Sequence, residues 1–406
     1  MNPHQFRLAA RNLSRNTRRT ALALLIICGG VVAFMLAGGF IQWIFNDMRE
    51  STIHSQLGHV QITRPGYMQE GLGDPYRYLL PDDSRAVGAD TDERIRTVAP
   101  RLAFSGLVSR GDDTVSFIGE GIDPEREAPI TRAITIVEGR DLTDSPPESV
   151  LLGEGLAANL GAGAGDSLVL LVTTAAGNIN AMELEVAGIF STITKAYDDT
   201  VLRAPIDIAR QLMRVEGATR WVVLLERTEQ TGEVVSDLEQ RLPSAEYAIT
   251  PWTELADFYK KTVELFSRQV NVVRVLIALI VVLSISNTLT MSVIERTSEI
   301  GTSMALGVRR RGILSLFIAE GVVLGVIGGL LGIALGAVLA AVISAIGIPM
   351  PPPPGMAHGY IGQIAISPML ALEGFLLAFV TTLAASLFPA WKASRMNIVD
   401  ALRFQQ

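Results

Sequence analysis

The chain has 406 residues, of which 49% are hydrophobic and 18% are charged, with a formal net charge of −7. Soluble domains usually carry about 25% charged residues, so this composition argues against a soluble enzyme and favours a membrane protein. Four apolar stretches are long enough to span a bilayer as helices, which takes about 20 residues each. They are residues 20–45, 270–294, 313–348 and 369–391.

Residues 1–19 precede the first span and are predicted to form an amphipathic helix on the inner membrane surface. Basic residues recur there at helical spacing, and small or apolar residues gather on another side: Arg7, Arg11, Arg15 and Arg18 against Phe6, Ala9, Ala10 and Leu13. A solvated basic tail is the alternative. The span at 20–45 is about twice as long as the apolar part of a signal peptide, and no A-x-A site follows it, which predicts a retained anchor. Cys28, the only cysteine, lies in this span, so no disulfide is expected in the region that follows.

Residues 46–269 are predicted to form a large external domain of mixed α and β structure. "GHVQIT", "TVSFIGEGI" and "TRWVVLLERT" are typical of strands, and residues 167–190 predict a hairpin that turns near Gly177 and Asn178. The pattern favours a βα lobe built from both ends of the region, with a β-rich insert near residues 101–200. Residues 254–268 have a helical pattern that continues into the second span, so the domain and that span are predicted to be mechanically continuous.

The distribution of charge predicts the orientation of the chain. Residues 46–268 hold 21 Lys and Arg against 36 Asp and Glu, a formal charge of −15, whereas the remainder has a charge of +8. Basic residues cluster before the first span, between the second and third, and after the fourth, and the positive-inside rule places all three regions in the cytoplasm. The segment 295–312 and the tail 392–406 are then cytoplasmic, and the uncharged loop 349–368 is external.

The third span contains residues that favour close helix packing. At about 1.5 Å per residue its 36 residues exceed one bilayer thickness, so residues 313–320 are predicted to run along the inner interface and residues 321–345 to cross the membrane. Small residues recur there at the spacing that lets helices approach closely: Gly325, Gly328, Gly329, Gly332 and Gly336. Arg274, near the outer end of the second span, is predicted to extend toward the lipid headgroups, with anionic headgroup binding as the alternative.

The sequence contains no complete motif for catalysis or cofactor binding. "GDSL" at residues 165–168 matches the opening motif of a family of serine esterases, but the only later histidine, His358, has no Asp three residues before it, which favours a turn into a strand. His54 and His59 lack the accompanying ligands of a zinc site. There is no phosphate-binding G-x-x-x-x-G-K-[ST] motif and no basic surface interleaved with aromatic residues for nucleic acid. The chain is therefore predicted to have no catalytic, metal or cofactor site.

Two membrane motifs and one external motif resemble a known family. "NTLTMSVIERTSEIGTSMALGVRRRGILSLFIAEG" (residues 287–321) and "SLFPAWKASRMNIVDALR" (residues 386–403) resemble FtsX-like permeases, the membrane subunits of ABC transporters of the MacB and lipoprotein-releasing type. "SVLLGEGLAANLGAGAGDSLVLL" is similar to the periplasmic domain of this family. The resemblance covers essentially the whole chain and is strongest in the two membrane motifs.

The resemblance implies an α-helical protein of the bacterial inner membrane with four transmembrane helices and a large mixed α/β periplasmic domain between helices 1 and 2. It implies a dimer with a second copy or a homologous permease, bound to two copies of a separate ABC ATPase that binds ATP and Mg²⁺. Motion would be relayed through the membrane to the periplasmic domain to extract or export a lipoprotein or another lipophilic substrate, with membrane lipid and a periplasmic chaperone or adaptor as further partners. The alternatives are an FtsX-like regulator of cell-wall hydrolases and an adaptor-dependent exporter of small amphiphiles.

Residues 295–312 are predicted to be the coupling element that docks into the ATPase. The residues expected to provide this contact are Glu295, Glu299, Ile300, Gly301, Met304, Ala305, Leu306 and Gly307. Gly307 suits a helix C-terminal cap before the basic residues 309–311. The alternative is that the arginines of this segment serve only to set the membrane topology of the chain.

The first two spans are predicted to border a cavity through which a lipophilic substrate enters, as the resemblance implies. The residues expected to line it are Phe34, Phe40, Trp43 and Ile44 of the first span and Phe266, Val270, Val273 and Arg274 of the second span and its approach. The alternative is that these side chains face bilayer lipid.

Overall fold

The computed structural model describes residues 3–15, 17–71, 73–82, 84–88, 91–351 and 359–396. The Pro-rich part of the external loop with His358, and the tail from residue 397, lie outside the described residues. The helices are α1 (Pro3–Arg15), α2 (Thr17–Thr52), α3 (Tyr67–Glu70), α4 (Pro124–Glu127), α5 (Glu154–Leu160), α6 (Lys195–Asp198), α7 (Ile206–Met213), α8 (Thr231–Arg241), α9 (Trp252–Leu255), α10 (Asp257–Glu295), α11 (Thr297–Ala305), α12 (Arg310–Ile346) and α13 (Pro368–Ser394). The strands are β1 (Val60–Thr63), β2 (Ile95–Arg110), β3 (Asp113–Ile122), β4 (Thr135–Gly139), β5 (Ser149–Gly153), β6 (Ser167–Thr173), β7 (Ile179–Ser191), β8 (Val201–Pro205), β9 (Arg220–Leu225), β10 (Ala248–Pro251), β11 (Ile348–Met350) and β12 (Tyr360–Gly362).

The chain divides into two compact units. The membrane unit comprises Met1–Phe45, Thr262–Pro349 and Ile361–Gln406, and the external domain comprises Asn46–Lys261 with Met350–Tyr360. Helices α2, α10, α12 and α13 are long and apolar enough to cross a membrane. A mixed α/β domain therefore lies between the first and second spans in the sequence, and this fold class is confirmed.

Helix α12 is packed in the membrane unit through two rows of glycine. Gly325 and Gly329 face α13, where an added Cβ would lie 3.3 Å from Thr382 and 3.0 Å from Phe375. Gly332 and Gly336 face α2, where the corresponding distances to Val31 and Met35 are 2.6 and 3.0 Å. Gly328 also faces α2, at Ile27. The four-residue spacing puts each row on one side of the helix, so α12 approaches two neighbours closely at once.

The predicted interfacial segment and the span belong to one helix. The helix is unbroken from Arg310 to Ile346, so no break separates an interfacial segment at 313–320 from the span. Glu320, at the predicted division, is buried. Burial of this carboxylate is possible because it has hydrogen-bonding partners within the membrane unit. A carboxylate at the membrane interface would not need such partners.

The external domain is built on one mixed ten-stranded sheet in the order β10-β1-β9-β2-β3-β8-β5-β7-β4, with β6 paired to β2 and β7. Strands β3–β8 and β5–β7 are parallel, and the other pairs are antiparallel. The first part of β2 pairs with β9, and its second part pairs with β3 and β6. Strand β2 thus belongs to two lobes that share a single sheet.

Each lobe has its own core. In the first lobe α8 packs Val234 and Leu238 against Trp221 and Val223 of β9. In the second lobe the alternating residues of β6 point inward together with the apolar face of α7, which ends at Met213. The β-rich insert therefore extends to about residue 213 rather than 200, because α7 is needed to cover β2 and β3.

Candidate functional site

Two groups of residues occupy the ends of the long helices. One lies in the membrane unit, where α1, α2, α10, α11 and α12 meet, and we call it the charged junction: Asn12, Arg15, Arg19, Glu295, Arg296, Glu299 and Glu320. The other lies in the external domain, around the residues that directly follow α2 and those that directly precede α10. We call it the helix-anchor core: Ile53, Ala99, Ile130, Val222, Leu224, Trp252 and Ala256.

The inner part of the charged junction is centred on Glu320 of α12, which is only 2% exposed. Its Oε1 accepts hydrogen bonds from Arg296 Nη1 at 3.0 Å and from Asn12 Nδ2 at 2.9 Å. The Arg296 guanidinium also lies 5.9 Å from the centroid of the Phe317 ring. A buried carboxylate with an arginine and an amide partner thus joins α1 and α12 to the turn between α10 and α11.

The outer part of the charged junction pairs the coupling segment with arginines before the first span. Arg19 contacts both carboxylate oxygens of Glu295, and Arg15 pairs with Glu299 at 2.6 Å. Glu299 also accepts from Arg296 Nε at 3.3 Å. Partial burial raises the pKa of Glu299, but hydrogen bonds from Arg15 and Arg296 outweigh it and leave the pKa below its ordinary value. These carboxylates, which were predicted to contact the ATPase, therefore have partners within this chain.

The apolar residues of the coupling segment divide into two sets. Ile300 and Met304 of α11 are buried in a cluster with Val293, Ile313 and Phe317, and Gly301 is buried with them. Leu306, by contrast, is 83% exposed, and Ala305 is exposed as well. Of the predicted contact residues, Leu306 and Ala305 are therefore available to another protein, while Ile300 and Met304 hold α11 against its own unit.

Gly307 follows the end of α11 and has the positive φ that the sequence pattern predicts for a helix C-terminal cap. Its φ is +98°, which side chains rarely adopt, and its N–H donates to the Met304 carbonyl at 3.0 Å. Helix α12 then begins at Arg310. Leu306 consequently lies at the tip of a tight connection between two helices.

The helix-anchor core gathers apolar side chains from both chain segments that connect the external domain to spans. Ile53 lies in a single π-helical turn, Ile53–Leu57, that directly follows α2, while Trp252 and Ala256 lie immediately before α10. Trp252 N–H donates to the His59 carbonyl at 2.9 Å, which links the two segments through the backbone. Gly58 closes the turn with φ +63°, and a Cβ there would lie 2.4 Å from Val222.

Two buried arginines hold the π-helical turn from the sheet side. Arg101 of β2 donates to the Gln56 carbonyl, and Arg203 Nη2 of β8 donates to the Ser55 carbonyl at 2.9 Å. Their relative exposures are 1% and 2%. The carbonyls of a helix C-terminus carry partial negative charge, so cationic donors stabilise this helix end.

Acidic residues compensate these arginines. Glu127 of α4 pairs with Arg101, and Glu120 of β3 lies 3.4 Å from Arg203 Nη2. Glu120 also pairs with Arg220 and accepts from the Tyr197 hydroxyl at 2.7 Å. Burial would raise the pKa of Glu120, but Arg101, Arg220 and Arg203 outweigh that effect and bring it to about 2. We call Arg101, Glu120, Glu127, Arg203 and Arg220 the buried charge cluster.

A hydrogen-bonded chain through His59 adds a further link to the end of α2. His59 Nδ1 accepts from the Leu225 N–H at 3.1 Å, which leaves Nε2 to donate to Thr228 Oγ1 at 3.0 Å. Thr228 Oγ1 donates in turn to Glu50 Oε1 of α2 at 3.2 Å. Burial, with His54 and Arg49 nearby, lowers the pKa of His59 to about 4, so the ring is neutral at pH 7.

The residues predicted to line a substrate cavity do not all meet. Phe34 is buried beneath the Arg274 guanidinium, Phe40 contacts the Gly362 position, and Val273 is exposed. Phe266 packs edge-on against Phe45 with ring centroids 6.4 Å apart, whereas Trp43, Ile44 and Val270 are half-buried. Arg274, which was predicted to extend toward the lipid headgroups, pairs with Glu373 of α13.

The esterase-like and histidine motifs have structural roles. Asp166 Oδ2 of "GDSL" accepts from the Gly163 N–H at 2.7 Å in a turn that leads into β6. No group of His, Cys, Asp and Glu suited to a metal ion occurs among the described residues. Nothing in the sequence indicated Arg101 and Arg203 as a pair, whereas Glu320, a single carboxylate in a long apolar run, was a recognisable signal.

Comparison with known proteins agrees with this architecture. Residues 20–241 match the MacB-like periplasmic core domain, and residues 271–398 match the FtsX-like permease C-terminal domain. The lipoprotein-releasing system transmembrane protein LolC of Xylella fastidiosa is 26% identical over 337 residues, which cover 78% of this chain and 80% of LolC.

A second relative is the macrolide export ATP-binding/permease protein MacB of Rhodospirillum rubrum. It is 27% identical over 411 residues, which cover 98% of this chain and 59% of MacB. Among solved structures, the periplasmic region of MacB from Actinobacillus actinomycetemcomitans matches with a TM-score of 0.37 and 16% identity, over 51% of this chain and 94% of that structure. Because the periplasmic core match alone covers more than half of the residues, the chain belongs to the ABC transporter permeases of the MacB and LolC type.

Proposed function

We propose that this permease relays motion driven by a separate ATPase to its periplasmic domain. The ATPase binds ATP and Mg²⁺, and two copies dock on a dimer formed with a second copy of this chain or a homologous permease. The docking segment is residues 295–312, on the cytoplasmic side with both termini, and its tip is Leu306.

Helix α10 is the observation that carries this proposal. It is a single helix from Asp257 to Glu295 that includes residues of both units, and it begins directly after Trp252 and Ala256 of the helix-anchor core. Its last residue, Glu295, pairs with Arg19 in the charged junction. A continuous hydrogen-bonded helix resists bending and compression, so movement of the docking segment displaces the residues that open α10.

The substrate that we propose is lipophilic, with a lipoprotein as the first candidate. The LolC relative is named for lipoprotein release and the MacB relative for macrolide export, and both names concern molecules with large apolar surfaces. In this chain the Phe45–Phe266 pair and exposed Val273 offer an apolar surface on the first two spans. A periplasmic chaperone or adaptor would receive the substrate.

The test is substrate-dependent ATPase activity of the complex in proteoliposomes. A triacylated lipopeptide is expected to raise ATP turnover several-fold, whereas the same peptide without acyl chains is expected to have no effect. A macrolide is tested in the same assay as a second candidate substrate. If neither the lipopeptide nor the macrolide changes ATP turnover or is moved across or out of the bilayer, the proposed transport of a lipophilic substrate is wrong.

Orientation is tested by cysteine labelling in intact cells. In a Cys28→Ser background, Ser145→Cys is expected to react with a membrane-impermeant maleimide and Arg310→Cys is expected not to react. Permeabilised cells provide the control in which both react. Labelling of Arg310→Cys in intact cells would contradict a cytoplasmic docking segment.

A further inference from the structure

The ion pair of Arg274 and Glu373 joins the apolar stretches of α10 and α13 and has no role in the coupling proposed above. Arg274 is the only charged residue between positions 269 and 294 of α10, and Glu373 is the only one between positions 369 and 391 of α13. Charged side chains in such helices are rare because burial in hydrocarbon is unfavourable, and those that occur usually serve a function.

The position of the pair along both helices places it near one bilayer surface. Arg274 is 22 residues before Arg296, which is about 33 Å at about 1.5 Å per residue. Glu373 is 19 residues before Lys392, about 28 Å by the same rise. The hydrocarbon core is about 30 Å thick, so when Arg296 and Lys392 lie at one surface, Arg274 and Glu373 lie level with the lipid phosphates of the other leaflet.

The geometry of the pair leaves the guanidinium incompletely used. Arg274 Nη2 donates to Glu373 Oε2, and the guanidinium lies over the Phe34 ring, 5.2 Å from its centroid. Arg274 and Glu373 side chains are 39% and 35% exposed, so the pair is open on one side. Within the described part of the chain, buried Arg274 Nε has no hydrogen-bond partner. A planar guanidinium with unused N–H groups at this depth matches the geometry of a phosphate, which it can bind through two hydrogen bonds.

We propose that Arg274 binds the phosphate of a membrane phospholipid, and that Glu373 competes with this lipid for the guanidinium. The pair joins α10 to α13 across Phe34 of α2, so separating these helices breaks it. Two unpaired charges would then remain in an apolar environment unless an anion replaces Glu373. Phospholipid binding at Arg274 therefore favours the separated arrangement, and the Arg274–Glu373 pair favours the closed one. This site does not depend on the proposed transport function.

The test is lipid retention by the full chain in detergent, measured by native mass spectrometry with added phosphatidylglycerol. The Glu373→Gln variant removes the competitor and is expected to retain at least about threefold more lipid than the wild type. Arg274→Gln and the double variant Arg274→Gln/Glu373→Gln are expected to fall below the wild type. The matched control is Arg268→Gln on the same helix, which removes an exposed arginine paired with Glu264 and should not change retention.

Further experiments identify the ligand and check that the variants fold. Diacylglycerol, which lacks the phosphate, should show no dependence on Glu373, and 10 mM inorganic phosphate should not displace the lipid. Displacement by phosphate would show a soluble-anion site and overturn the lipid assignment. The exchanged pair Arg274→Glu/Glu373→Arg keeps the charges paired and should elute as a monodisperse species if the single variants fail to fold. Equal retention in the wild type and Glu373→Gln, or in Glu373→Gln and the double variant, would overturn the proposal.

Discussion

The charged junction and the buried charge cluster are both built around arginine–carboxylate pairs, but their surroundings differ. In the charged junction, Arg15 and Glu299 are each more than half exposed, and Leu306 extends into solvent. In the external domain, Arg101 and Arg203 are almost fully buried beside aromatic and aliphatic side chains. Exposed pairs contribute little to stability, whereas removing one member of a buried pair costs much more.

This difference suggests that the two regions have different mechanical roles. Ion pairs in solvent can exchange partners at low cost, so the outer part of the charged junction, around Arg15 and Glu299, can rearrange when another protein binds to Leu306. The buried charge cluster cannot lose Arg101 or Arg203 without leaving carboxylates unpaired, so the turn that follows α2 stays fixed to the sheet. We infer that motion starts in the adjustable charged junction and is received by the rigid helix-anchor core. Substitutions and a change of pH test this contrast.

The largest effect is expected from Arg101→Met, which removes one arginine of the buried charge cluster. Glu127 would remain buried without its partner, and the free energy of unfolding of the domain 46–261 should fall by about 3–5 kcal/mol. The matched control is Arg96→Met on the same strand, whose pair with Glu226 spans 3.9 Å near the surface, and it should cost less than about 1 kcal/mol. Urea denaturation measures both, and equal losses would show that burial does not distinguish these arginines.

A smaller effect is expected from pH, through His59. Because burial lowers its pKa from 6.5 to about 4, the unfolded state takes up a proton between these values and the folded state does not. The domain should therefore lose up to about 3 kcal/mol of stability as pH falls from about 6.5 to about 4. Glu120, with its pKa of about 2, loses its own contribution only below about pH 4.5. In His59→Gln the loss between pH 7.5 and 5 should be smaller, and an unchanged pH dependence would exclude His59 as its source.

At the charged junction, Leu306→Ala is expected to weaken docking without destabilising the chain. The side chain is exposed, so its truncation leaves no internal cavity, but loss of an apolar anchor in an interface costs about 1–3 kcal/mol. Binding of the ATPase in detergent should weaken about tenfold or more. Thr302→Ala, at an exposed position on the preceding helix α11, is the control. Unchanged ATPase binding by Leu306→Ala would place the docking surface elsewhere.

The smallest effect is expected from reversing one exposed pair. Glu299→Lys places like charges at Arg15 and Arg296 and should lower ATPase binding by less than about 1 kcal/mol, because solvent screens both contacts. Arg15→Glu in the same chain should restore most of that loss if Arg15 is the partner. A double variant as weak as Glu299→Lys alone would show that Glu299 acts on the ATPase directly.

Much of this architecture could be predicted from the sequence because hydropathy and charge set it. Composition predicts the four spans and the external domain. The four-residue repeat of glycine predicts the close packing of α12. The buried charge cluster could not be predicted, because Arg101, Glu120 and Arg203 are ordinary residues in strands until the sheet brings them together. The pairing of Glu299 could not be predicted for a related reason: its partner Arg15 is 284 residues away in the chain, and nothing local indicates that pairing.

The most direct test of motion along α10 is hydrogen exchange of the assembled complex with ATP and vanadate against ADP. Protection at residues 53–59 and 252–260 is expected to change between these states in the wild type. Two glycines inserted between Lys261 and Thr262 should abolish the change, because they interrupt α10, whereas the same insertion in the β6–β7 turn after Gly177 should not. If the insertion in α10 leaves the exchange difference intact, motion does not reach the helix-anchor core through this helix, and the central claim is wrong.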